Sequence, residues 1–61
     1  MNHVRYYREN YGMSKRQLAM YAKISHVELN HIERNKRTPN VYIAIRIAKV
    51  LKIPIEGLFI E

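Results

Sequence analysis

Two helix-start signals stand eleven residues apart in this chain, and that spacing leaves few ways to fold the segment between them. Ser14 is followed three residues later by Gln17, and Ser25 three residues later by Glu28. In such a pair the hydroxyl accepts from the backbone N–H three residues on. The amide or carboxylate reaches back to the backbone N–H of the serine, so two free donors of a first helical turn are satisfied. A helix that starts after Ser14 must therefore end near Tyr21 or Ala22, before the next begins. Leu18, Ala19 and Ala22 form its inner face and Lys15, Arg16 and Lys23 stay outside; in the following helix Leu29, Ile32 and Glu33 share a face. Two short capped helices thus meet across Lys23 and Ile24.

The only glycines, Gly12 and Gly57, and the only prolines, Pro39 and Pro54, punctuate the remainder into segments of helical length. Val4, Tyr7 and Tyr11 recur at i, i+3 and i+7, predicting a first helix over Val4 to Tyr11 that Gly12 closes in a left-handed conformation. From Glu33 to Pro39 there is no apolar residue, so the third helix ends there in a basic loop, with Asn35 able to turn left-handed. Asn40 can cap a fourth helix over Val41 to Leu51 with Val41, Ala44, Ile47, Ala48 and Leu51 inward, and Pro54 opens a short fifth turn carrying Leu58 and Phe59. Strand-like alternation is confined to Lys52 to Glu56, which is short and broken by proline. The expected fold is all-α: a compact four- to five-helix bundle, one domain over residues 1 to 61. So short a chain buries only about 60% of its unfolded surface. Without cysteine it has no disulfide or thiolate metal site to supplement the core, so stability must come from helix packing or from a second subunit.

Charge points to a polyanionic partner. Eleven Lys and Arg stand against five acidic residues, all Glu, for a formal charge of +6, and eight of the basic side chains lie within residues 1 to 37. No apolar run has the length of a membrane span or the form of a secretory signal, so a cytoplasmic location is expected. Catalysis is not: there is no Cys, no Asp and little interior in which to build a cleft. The string His26-x-Glu28-x-x-His31 imitates metal-ligand spacing. On a helix, however, the two histidines stand about 140° apart, and Glu28 is about 200° from His26. Neither a metal nor a cofactor is expected.

The run Gly12-Met13-Ser14-Lys15-Arg16-Gln17-Leu18-Ala19, then Ile24-Ser25, then Ile32-Glu33-Arg34-Asn35-Lys36-Arg37-Thr38-Pro39, resembles helix-turn-helix regulators of the Cro and lambda-repressor type, the XRE family. Ala44, Ile47, Ala48, Leu51, Leu58 and Phe59 continue the resemblance. It implies a transcriptional regulator, a repressor by analogy, that binds double-stranded DNA by laying its third helix in the major groove. The isoleucine excess of the C-terminal third, together with the single small core, predicts a symmetric homodimer joined through the fourth helix and the segment Pro54 to Ile60, on an inverted-repeat operator. Projection of the third helix agrees with that placement. At about 100° per residue, Val27, His31 and Arg34 point away from Leu29 and Ile32, with His26 and Asn30 on one edge and Glu28 on the other. His26, Val27 and His31 are the candidate base readers, followed by Glu28 and Asn30. Lys15 matches the family's backbone-contact position; with Arg16, and with Arg34, Asn35, Lys36 and Arg37 at the other end, it forms the candidate phosphate clamp. The resemblance further implies an ion pair between Arg8 and Glu33. The sequence departs from the family where Lys23 and Asn35 stand in place of glycine, and Lys23 would be strained if the turn is kept.

Two other readings carry weight. Tyr6, Tyr7, Tyr11, Tyr21 and Tyr42 offer aromatic faces of the kind that stack on single strands, although their helical spacing favours packing. Ile43, Ile45, Val50, Ile53, Ile55 and Ile60 exceed what one inner stripe needs, which would suit a protein-interaction module of antitoxin-like or assembly type that binds DNA incidentally.

Overall fold

The computed structural model describes residues 2–59. Five helices follow one another in the order α1 (Val4–Tyr11), α2 (Lys15–Ala22), α3 (His26–Glu33), α4 (Val41–Leu51) and α5 (Ile55–Phe59), and no strand occurs among the described residues. Ser14 caps α2 with the reciprocal bonds in place: its Oγ accepts from Gln17 N–H at 3.1 Å and Gln17 Oε1 accepts from Ser14 N–H at 2.9 Å. Ser25 Oγ accepts from Glu28 N–H at 2.9 Å and Asn40 Oδ1 from Ile43 N–H at 2.9 Å, which starts α3 and α4. The return half of the expected Ser25–Glu28 pair is not formed, because the Glu28 carboxylate is engaged by Arg37 instead.

The helix ends follow one rule. After each of the first four helices a left-handed residue reverses the chain: Gly12 (φ 86°), Lys23 (φ 60°), Asn35 (φ 60°) and Lys52 (φ 59°). The N–H of the next residue then returns to a carbonyl five residues back, in the bonds Met13 to Arg8, Ile24 to Ala19, Lys36 to His31 and Ile53 to Ala48. This satisfies carbonyls that a helix end leaves free and, after α1, α2 and α4, turns the following residue inward, whereas Lys36 after α3 stays exposed. Met13, Ile24 and Ile53 all pack against the core from that position. A lysine in this conformation lacks glycine's freedom, and the left-handed region costs a side-chain-bearing residue roughly 1–2 kcal/mol. Lys23→Gly is therefore expected to raise stability by up to ~1 kcal/mol once the extra flexibility of glycine in the unfolded chain is offset. A calorimetric melt no higher than the parent's would show that this turn holds no strain.

α2 lies at the centre of the packing, against α3 on one side and α4 on the other, while α4 also meets α1 and α5. Val4, Leu18, Ala22, Leu29, Ile32, Ile47 and Leu58 are fully enclosed, with Ala19, Ala48 and Leu51 completing the core. At the end of α1, Tyr11 is exposed rather than inward; the inner stripe runs through Val4, Tyr7 and Arg8. Val41 is likewise exposed, because the first residue of α4 projects beyond the layer that Ala44, Ile47 and Ala48 bury. The aliphatic surplus of the C-terminal third is mostly consumed at home. Ile43, Val50, Ile53 and Ile55 pack partly buried against the molecule's own core, Ile45 is exposed, and Ile60 lies outside the described residues. No helix among the described residues is long and apolar enough to cross a membrane.

Candidate nucleic-acid interface

The outer side of α3 is built by what holds its inner side. Leu29 and Ile32 are fully buried, so a helix of this pitch must turn Val27 and His31 the other way, and Val27 is 63% exposed. His26 is exposed at the start of the helix and His31 half-buried further along; Arg34 is exposed at the C-cap.

Four polar ties fix the position of this helix. From α1, the buried Arg8 donates to Glu33 twice, Nε to Oε2 at 2.7 Å and Nη2 to Oε1 at 3.2 Å, and gives its remaining Nη1 to the Met13 carbonyl at 2.9 Å. The two side chains retain 8% and 1% of their accessible surface, so a complete charge pair is enclosed between α1, α3 and the loop leading to α2. From α2, Lys15 Nζ donates to Asn30 Oδ1 at 2.9 Å. From the N-terminal segment, Asn2 Nδ2 donates to the Ile32 carbonyl at 2.7 Å while Asn2 Oδ1 accepts the Val4 N–H at 3.1 Å. From the following loop, Arg37 Nη1 donates to Glu28 Oε1 at 2.7 Å. The turn itself is held from behind, where Arg46 Nε on α4 donates to the Ala22 carbonyl at 2.8 Å.

The structure thus brings Arg8 to Glu33 and also joins candidate residues that the sequence treats separately: Lys15 with Asn30, and Arg37 with Glu28. Neither tie exhausts its cation. An ammonium has three donors and a guanidinium five, so each cation has more donors than its tie uses. Ser14, Lys15, Arg16 and His26 line one shallow hollow, where the first turns of α2 and α3 open side by side and both helix dipoles present their positive ends. Arg34, Asn35, Lys36 and Arg37 are exposed at the opposite end of α3. Asn2 and Arg46 were not legible as site residues. Their roles depend on backbone carbonyls at Ile32 and Ala22, for which sequence carries no marker.

An exposed helix braced by its predecessor across a turn, with basic side chains at both ends, defines a helix-turn-helix protein. The chain belongs to the helix-turn-helix family of the XRE type, whose family model matches residues 4–58. It is similar to an uncharacterized HTH-type transcriptional regulator of Archaeoglobus fulgidus, with 33% identity over 57 residues, covering 93% of this chain and 81% of that protein.

Proposed function

We propose that this protein is a transcriptional regulator, acting as a repressor, that binds double-stranded DNA with α3 in the major groove. The observation that carries the reading is the outer face of α3: Val27 exposed between His26 and His31, with Lys15 and Arg16 beyond one end and Arg34, Lys36 and Arg37 beyond the other. Base edges in the major groove lie between two phosphate rows, so a helix that inserts there needs readers along its middle and cations at its margins. A cytoplasmic location belongs to the same reading, since a regulator of this kind works where the DNA is. Selection of bound sites from a random duplex library tests the reading directly. One enriched duplex sequence supports it; no enrichment, or tighter binding to single strands, sinks it.

The homodimer belongs to the same reading and rests on the surface around the start of α4. Val41, Tyr42 and Ile45 are exposed there, Tyr42 to 73%, beside an apolar groove lined by Thr38, Pro39, Ala44, Ile55 and Phe59. On an inverted repeat an isologous dimer has to set its two copies of α3 on successive turns of one duplex face, about 34 Å apart. Tyr42→Glu is expected to leave the fold intact, since that side chain is 73% exposed, and to abolish the second subunit in light scattering on the selected inverted repeat. A variant that still binds as two subunits would move the interface elsewhere.

A further inference from the structure

Glu28 and Arg37, nine residues apart, are expected to act on DNA separately, one as a reader and the other as a clamp. In the free protein they hold each other. The carboxylate is largely shielded, at 21% side-chain exposure, and the guanidinium is the open partner at 57%. The choice of partner is specific. Glu28 occupies the position from which Gln17, in the preceding helix, reaches back to its cap serine, yet Glu28 forgoes that bond and takes the loop arginine. Among the other carboxylates of the described residues, Glu9 pairs with Arg5 on α1, Glu33 is enclosed with Arg8, and Glu56 lies on α5. Glu28 is therefore the carboxylate that borders the outer face of α3.

A duplex would treat the two groups in opposite ways. Phosphates attract the guanidinium and repel the carboxylate. In the major groove a carboxylate is satisfied by a base-edge donor, characteristically the amino group on cytosine N4. While the pair is closed, the charge of Arg37 is largely cancelled and contributes little to counterion release. If the pair opens without a replacement donor, the carboxylate is left unsatisfied in a strongly negative groove.

We propose that Glu28 and Arg37 form an exchange pair that couples base identity to backbone clamping, an inference that rests on the major-groove reading above. On a duplex with a cytosine opposite Glu28, the carboxylate passes from the guanidinium to the cytosine amino group, and Arg37 is released to a phosphate. On other sequences the pair stays closed and one clamp is withheld. Glu28 then sets specificity twice, through the base it accepts and through the phosphate contact it denies to mismatched DNA.

The test compares the parent, Glu28→Gln and Arg37→Gln on the selected duplex and on random duplex, by fluorescence anisotropy across a salt series of about 50 to 200 mM. Glu28→Gln is expected to bind random duplex severalfold more tightly. Its salt slope there should rise by about one unit, a roughly threefold to fourfold larger loss of affinity across that range. Repeated selection with it should shift the preferred base from cytosine toward adenine, the partner of a carboxamide. Arg37→Gln should lower the slope by about one unit on the selected duplex and leave the slope on random duplex at the parent's value. A Glu28→Gln protein that weakens on both duplexes alike, or changes on neither, overturns the exchange. Should that variant melt early, an equal loss of slope on both duplexes for Arg37→Gln overturns it instead. A parent that selects a site whose bases do not respond to Glu28 defeats this inference alone; a parent that selects no duplex site defeats the major-groove reading with it.

Discussion

Replacing Arg8 with methionine is expected to destabilise the protein by about 3 kcal/mol or more, the range found when one partner of a buried ion pair is removed. At roughly 4 to 8 °C per kcal/mol for a domain of this size, the melting temperature should fall by about 12 °C at the least. The reason lies in what remains. Glu33 keeps 1% of its side-chain surface and receives both of its charge-assisted bonds from Arg8, so the substitution leaves an ionised carboxylate enclosed without a donor, and the Met13 carbonyl loses its partner as well. Adding Glu33→Leu removes the stranded charge and should recover most of the loss, because two apolar side chains in place of an enclosed pair are often close to neutral. If the single variant melts within a few degrees of the parent, or the double variant melts below the single one, the pair is not what holds α1 to α3. DNA binding follows the same frame, since Glu33 ends the helix whose opposite face carries the candidate readers.

Helix starts were legible in this sequence to the residue, and the ends at Tyr11, Ala22 and Leu51 fell where expected, but the backbone turns that close them were legible only in part. Ser14, Ser25 and Asn40 announce themselves because an N-cap is a side-chain event, in which one oxygen meets one backbone N–H three residues on. A helix end is a backbone event. Gly12 and Asn35 signal it by residue type, but Lys23 and Lys52 adopt the same left-handed conformation with no local preference for it. The packing of Ile24 and Ile53 compels those two turns. In each case an isoleucine follows the lysine, and only a left-handed reversal delivers it to the core. Aliphatic residues that looked surplus for one helix stripe were not surplus for the molecule: Ile53 follows a turn, Ile55 lies on α5, and Ile43 and Val50 widen the covered face of α4. The outer face of α3 was legible because Leu29 and Ile32 fix its opposite side. The partners of Lys15 and Arg37 were not, since which neighbour a long cation takes depends on distances between elements that no periodicity encodes.

Triple replacement of His26, Val27 and His31 by alanine is expected to erase the choice of sequence while leaving the protein on DNA. Each true base contact contributes ~1 to 3 kcal/mol to discrimination, so the selected duplex should lose at least tenfold in affinity and random duplex almost nothing. The asymmetry follows from where these side chains stand. They lie on the face of α3 turned away from Leu29 and Ile32 and take no part in the ties to Arg8, Asn2, Lys15 or Arg37, so removing them leaves the helix where it is. Chemistry assigns them different edges: an imidazole donates to guanine N7 or O6, and the valine methyls pack on the methyl of thymine. Arg16, Arg34 and Lys36 form the contrasting set. They are exposed at the two ends of the face, and replacing any one that touches a phosphate should weaken selected and random duplexes alike and reduce the salt slope by about one unit. The two sets are therefore separable by two measurements on each variant, the affinity ratio between selected and random DNA and the dependence of log affinity on log salt. A triple alanine variant that enriches the same duplex with the parent's affinity ratio would show that α3 is not the reading element, whatever the clamp residues do.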